Sequence, residues 1–125
     1  MNISITASIA TLSLLIASAG AYAAPPAMAQ TGVLTNPAGM TLYVFDKDVA
    51  GSGKSACNGE CAQKWPPLAA SASDKTSGDY AVITRDDGSR QWAYKGKPLY
   101  VWIKDQKPGD MTGDGVNNVW HTAKP

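Results

Sequence analysis

The sequence predicts a small, predominantly all-β domain: an antiparallel sheet made of pseudo-twofold duplicated hairpin units, with one short helical turn. Three observations predict it. The stretch TLYVFDKD, residues 41–48, returns as PLYVWIKD, residues 98–105; with Gly39 set over Gly96 the offset is 57. Runs rich in β-branched and aromatic residues alternate with clusters of Gly, Pro, Asn and Asp, the pattern of strands between turns. Only residues 57–64 read as helix, and Pro66-Pro67 ends them.

The chain opens on an expected leader. Its first 29 residues are apolar and carry no charged side chain, and small residues stand where a signal peptidase would cut. A cut after Ala29 gives a signal peptide of residues 1–29, and a cut after Ala23 is the alternative. The apolar run is short and broken by Ser and Thr, so cleavage is expected rather than a retained membrane helix. What remains, residues 30–125, has the size of one duplicated β domain, with repeat halves at about 31–70 and 88–125.

In the first half, GVLT leads into the turn residues Asn36-Pro37-Ala38-Gly39 and then MTLYVF. A polar loop, SASDKTSG, spans residues 71–78. Residues 80–85 (YAVITR), a turn at Asp86-Asp87-Gly88-Ser89, residues 90–95 (RQWAYK), a turn at Gly96-Lys97 and then PLYVWI read as a three-stranded meander over 80–103. Period 2 puts Leu99, Val101 and Ile103 on one face and Tyr100 and Trp102 on the other. Both faces are largely apolar, so the sheet is expected to be covered on both sides. Trp65 and Trp120 follow the two motifs at an offset of 55, a two-residue slip of the kind loops absorb.

The motif itself is Tyr-x-aromatic-x-x-Asp: Tyr43, Phe45, Asp48 and Tyr100, Trp102, Asp105. Together with SACNGECAQKWPPL, RDDGSRQWAYKGKPLYVW and PGDMTGDGVNNVWH it resembles the family of small exported bacterial predicted lipoproteins with a Yx(FWY)xxD motif, also described as a secreted repeat of unknown function. The resemblance covers almost all of the mature chain. It implies export and, for a family named after its motif, no particular activity. One departure stands out: the leader region holds no Cys to be acylated, which implies a soluble periplasmic or secreted form.

Two readings of the motif follow from the residues. In one, the aromatics are core and each Asp accepts hydrogen bonds from backbone N–H groups of its following loop. In the other, Tyr43, Phe45, Tyr100 and Trp102, with Trp65 and Trp120, offer faces on which a ligand stacks and Asp48 or Asp105 orients it. Duplication favours the first, since a structural unit repeats its own supports. Asp46 and Asp48, taken as a carboxylate pair with Lys47 between them, read as solvated.

Cys57 and Cys61 are the only cysteines, and an exported chain with an even count implies a disulfide. One helical turn between them would set their Cα atoms about 6 Å apart, within bridging range. The spacing matches neither a thioredoxin-like C-x-x-C nor haem attachment, though a reversible redox pair stays open. Residues 110–121 imitate a calcium loop with Asp110, Thr112, Asp114 and Asn118 as ligands, but His121 stands where the closing Glu belongs, so no metal is expected.

Charge supplies no partner. The 11 Lys+Arg and 10 Asp+Glu are interspersed, without the basic stripe of a nucleic-acid binder. His121 is the only histidine, and no nucleophile elbow, P-loop or dinucleotide fingerprint is present. The function expected is that of a non-catalytic exported envelope protein, monomeric, without cofactor and without stable membrane insertion after cleavage. It would bind an envelope protein or a small ligand. The alternative is an accessory to periplasmic redox or electron-transfer chemistry through Cys57 and Cys61, and a small hydrolase comes third.

Overall fold

The computed structural model describes residues 25–125; of the expected leader of residues 1–29, residues 1–24 lie outside them. The strands are short: β1 (Met28–Gln30), β2 (Val33–Thr35), β3 (Tyr43–Phe45), β4 (Tyr80–Thr84), β5 (Arg90–Tyr94), β6 (Lys97–Pro98) and β7 (Trp120–Thr122). The helix α1 covers Glu60–Lys64, and a 3-10 turn covers Val116–Asn118. All strand pairing is antiparallel: β1 with β2, β3 with β7, and β4-β5-β6 in order. No helix among the described residues is long and apolar enough to cross a membrane.

The duplication is built as an interleaved pair. At its centre the two motif tyrosines face each other: the Tyr43 N–H donates to the Tyr100 carbonyl at 2.8 Å and the Tyr100 N–H to the Tyr43 carbonyl at 3.0 Å. This reciprocal exchange is the hydrogen-bonded pair of an antiparallel ladder, and it marks the pseudo-twofold axis. After each tryptophan the chain crosses into the other half. Following Trp65, the Leu68 N–H donates to the Leu99 carbonyl and the Leu68 carbonyl accepts from Trp92, both at 2.9 Å. Following Trp120, the Ala123 N–H donates to the Leu42 carbonyl and the Ala123 carbonyl accepts from Leu34, both at 2.8 Å. Each repeat's last extended segment therefore completes the sheet of the other.

Two apolar clusters lie on opposite faces of the central strands. One holds Tyr43, Cys57, Trp65, Tyr100, Trp102 and Trp120; the other holds Ala27, Leu34, Leu42, Leu99 and Ala123, with Val44 and Val101 against it. The expected alternation thus holds from Leu99 to Trp102. It fails at Ile103, which is 54 % exposed because the chain leaves the sheet there.

Other expectations shift in register. The meander's third strand ends at Pro98; the Leu99 N–H still donates to the Trp92 carbonyl of β5 at 3.0 Å, and beyond it residues 100–101 leave β5 to pair with Tyr43 and with residues 66–67. The turn between β5 and β6 is Lys95-Gly96 rather than Gly96-Lys97. Both residues have positive φ, 47° and 82°, as a two-residue turn matched to strand twist requires. The helix begins at Glu60 instead of Cys57, since Gly59, at φ 58°, breaks the helical path just before it. The first hairpin forms as expected around residues 36–39, where the Asn36 side chain accepts from the Met40 N–H at 2.9 Å. β1 was not anticipated from the sequence.

Candidate functional site

The motif residues converge on the axis. Tyr43 and Tyr100 are fully buried, and each hydroxyl reaches the Asp of the other repeat: Tyr43 donates to Asp105 Oδ2 and Tyr100 to Asp48 Oδ2, both at 2.6 Å. The second oxygen of each carboxylate serves its own following loop. Asp48 Oδ1 accepts from the Ala56 N–H at 2.6 Å, and Asp105 Oδ1 accepts from the Thr112 N–H at 3.0 Å and its hydroxyl at 2.6 Å. The loop clasp expected from the sequence is present, and it is half of the arrangement. As a solvated pair Asp46 and Asp48 part company: Asp48 is half-buried in this clasp, while exposed Asp46 meets His121 Nε2 at 2.8 Å. The chain turns after Phe45, the Asp48 N–H donating to its carbonyl at 3.0 Å, and Asp48 meets the tyrosine of the other repeat rather than its own.

The larger aromatics form one continuous stack with the same symmetry. Phe45 lies on Trp120 (centroids 4.3 Å apart), Trp120 on Trp65 (3.8 Å) and Trp65 on Trp102 (3.9 Å). The tyrosines close it edge-on, Tyr43 against Trp65 at 77° and Tyr100 against Trp120 at 88°. Stacked and edge-to-face contacts each add about 0.5–1.5 kcal/mol beyond the area they bury. Trp65, Trp102 and Trp120 are all under a tenth exposed, and both faces of Trp65 are covered by the other two. Phe45, at one end, is half-buried, and the Lys104 ammonium stands 5.7 Å from the Trp102 ring centre at the other.

A charged relay that sequence reasoning missed supports the first loop. Arg85, read as a strand end, is buried and donates to Ser55 Oγ at 2.9 Å, to Gln91 Oε1 at 2.6 Å and to the Cys57 carbonyl. Ser55 Oγ lies 2.6 Å from the Tyr100 hydroxyl. Since Tyr100 gives its proton to Asp48, Ser55 donates to Tyr100 and accepts from Arg85. The result runs from a guanidinium through two hydroxyls to a carboxylate. Burial pushes the Asp48 carboxyl up, against the hydrogen bonds from Tyr100 and Ala56 that pull it down. Burial, then the bonds to Asp105 and Asp48, push both Tyr43 and Tyr100 well above the ordinary phenol range. Nothing local in YAVITR marks Arg85 for burial; its partners come from residues 55–57 and 91.

Cys57 and Cys61 form a disulfide with Cα atoms 5.2 Å apart. Cys57 is buried in the aromatic cluster and Cys61 rests against it, so the bridge pins α1 beneath the stack. Of the calcium-like residues, Asp110 accepts from the Gln106 and Lys107 N–H groups and Asp114 from the Thr122 N–H. Among the described residues no three His, Cys, Asp or Glu side chains gather closely enough to hold a metal.

Of the recesses at the surface of the described residues, three lie beside the stack or over the second cluster. Two, of about 590 and 500 Å³, border the stack and share Lys64, Trp65 and Asn117. The third, about 440 Å³, lies over the opposite face; Val44, Tyr94 and Ala123 line it, with Lys95, Lys97, Lys124 and the Asp46–His121 pair around them.

Fold and site define a duplicated β scaffold whose repeated motif joins its two halves. The chain belongs to the family described as a secreted repeat of unknown function, which matches residues 28–69 and 81–124. No curated protein and no solved structure matches it.

Proposed function

We propose that the protein is a non-catalytic, monomeric binding module of the bacterial envelope, released into the periplasm or beyond after its leader is cut, and that it takes up a small anionic ligand or an acidic segment of an envelope protein. One observation carries the reading. The groove beside Val44 and Ala123 sets three ammonium groups, Lys95, Lys97 and Lys124, around an apolar floor, with Asp46 already engaged by His121. Apolar recesses with a few convergent polar groups are the usual form of a ligand site. The motif tyrosines support the same choice, because Tyr43 and Tyr100 are fully buried and their hydroxyls are engaged by Asp105 and Asp48. Cys57 is buried in the core, which supports a structural rather than a redox role for the bridge.

Titration of the labelled protein with acetate, inorganic phosphate and a Glu-rich peptide, followed by amide chemical shifts, tests the proposal. Saturable shifts around residues 94–97 and 121–124 are expected, weakened at least tenfold in the triple variant Lys95→Gln, Lys97→Gln, Lys124→Gln. Shifts that are absent, or that the triple variant leaves unchanged, would sink it. Crosslinking in periplasmic extract then identifies the natural partner.

A further inference from the structure

The two recesses that border the aromatic stack join into one trough. They meet at Lys64, Trp65 and Asn117, and together they follow the four rings in stacking order, from Phe45 through Trp120 and Trp65 to Trp102. The lining comes from the pieces that precede Trp65 and Trp120 in the two repeats, α1 and the 3-10 turn. The tryptophans are nearly buried, so the apolar surface on offer is that of half-buried Phe45, Val116 and Val119 and of exposed Ile103. Three ammonium groups are spaced along it. Lys47 lines the Phe45 end and Lys104 the Trp102 end, and both hold the same place in the motif, immediately before Asp48 and Asp105; Lys64 lies where the recesses meet. None of the three is in an ion pair, since the one ion pair among the described residues joins Asp46 and His121. Glu60 is the single acid in the lining. Asn117, shared by both recesses, has a φ of 53°, and left-handed residues other than Gly gather at ligand clamps.

We propose that this trough binds an extended acidic peptide, a segment of a partner protein in which carboxylates flank apolar side chains. The lining fixes that chemistry. Unpaired ammonium groups at both ends and in the middle complement carboxylates spaced along a chain. Alternate side chains of an extended peptide turn to one side, so the apolar ones enter the trough and the acids between them stay at the rim with the exposed lysines. Each recess alone has the volume of a small-ligand site, and the two in line suit a chain rather than a compact anion. The trough lies on the opposite face from the groove of Lys95, Lys97 and Lys124 and does not depend on it.

The test follows amide shifts of the labelled protein while a short capped peptide alternating Glu with Leu and Phe is added. Saturable shifts are expected at residues 60–65, 103–104 and 112–119, with a change in tryptophan fluorescence at the same midpoint. The triple variant Lys47→Gln, Lys64→Gln, Lys104→Gln should weaken binding at least tenfold. The triple variant Lys95→Gln, Lys97→Gln, Lys124→Gln should leave it unchanged. All six lysines are exposed, so both variants should melt with the parent protein. The same peptide with Gln for Glu, and a peptide of Glu alone, should each bind at least tenfold more weakly, because the trough reads charge and apolar surface together. The proposal is overturned if either of these peptides, or benzoate, binds as tightly as the mixed one. It is also overturned if no saturable shift appears, if the first triple variant changes nothing, or if the shifts fall only at residues 94–97 and 121–124. The groove is decided by its own titration, so either site can fail without the other.

Discussion

Tyr43 and Asp105 stand 62 positions apart in the chain and 2.6 Å apart in space, and the bond between them is matched by that of Tyr100 to Asp48. A hydrogen bond to a charged acceptor contributes roughly 1.5–3 kcal/mol, and a buried carboxylate that loses a donor is left with its desolvation penalty. Tyr43→Phe is therefore expected to destabilise the fold by about 2 kcal/mol. Tyr100→Phe should be worse, because it also cuts the path from Arg85 through Ser55. Urea unfolding reads both. Equal and negligible losses would mean that the hydroxyls act only as volume.

The same phenols should make the protein sensitive to alkali. Their pKa values are higher folded than unfolded, so the folded state holds these protons more tightly. The sign follows: the stability they contribute is complete below the unfolded phenol value of about 10 and is lost as the pH rises through the folded value. Unfolding free energy should hold steady to about pH 9 and then fall steeply. Phenolate absorbance should appear in two stages, Tyr43 and Tyr100 ionising only with unfolding. Ionisation of every tyrosine in one early step, with the fold intact, would contradict the buried clasp.

Much of this architecture was legible in the chain, and the boundary of legibility has a physical cause. Period 2 assigns a residue to a face without naming the strand beside it. Leu99 and Val101 were thus placed correctly opposite Tyr100 and Trp102, while the departure of residues 100–101 from β5 toward Tyr43 and residues 66–67 was not visible. Asp48 and Asp105 were legible as loop clasps, because an Asp bonding the next few N–H groups is a local event. Their tyrosine partners lie in the other repeat, and locality says nothing about them. Arg85 illustrates the same limit, its burial being decided by a loop some 30 positions away.

The disulfide should prove a local clip. It closes a loop of sequence separation 4, so chain entropy limits its contribution to about 2 kcal/mol, the low end for such bridges. Reduction should lower stability by that much or less and fray α1, while the exciton signal of the stacked tryptophans persists. Loss of the stack on reduction would show that Cys57 anchors the cluster rather than merely filling it.

Gly113 is a sharper probe of the stack. A Cβ there would sit 2.7 Å from the Trp65 ring and 3.0 Å from Tyr43, so a methyl group forces one ring to move. Its N–H also donates to the Tyr43 hydroxyl at 3.2 Å, which ties the backbone to the clasp. Overpacking a dense core costs about 1–3 kcal/mol, and Gly113→Ala should fall in that range. Gly109→Ala is not a clean control because its φ is 90°; Ala56→Gly, near the matching loop of the first repeat, is better. A neutral Gly113→Ala would mean that the rings have room to slide.

The start of the folded chain can be tested in the same way. β1 pairs Met28 with Thr35 and Gln30 with Val33, and Ala27, 4 % exposed, fills a place in the second cluster beside Leu34 and Leu42. A protein beginning at residue 24, after the shorter expected leader, keeps all of this; one beginning at residue 30 loses Ala27 and two of the three paired residues. The exposed side chains of β1 contribute little, so the loss is the buried Ala27 methyl and a few ladder bonds, about 1–2 kcal/mol in all. Thermal melting of the two forms should rank them in that order, and amide exchange should show Leu34 less protected in the shorter one. Identical melting would make β1 an ornament of the fold and leave both cleavage points equally suited to it.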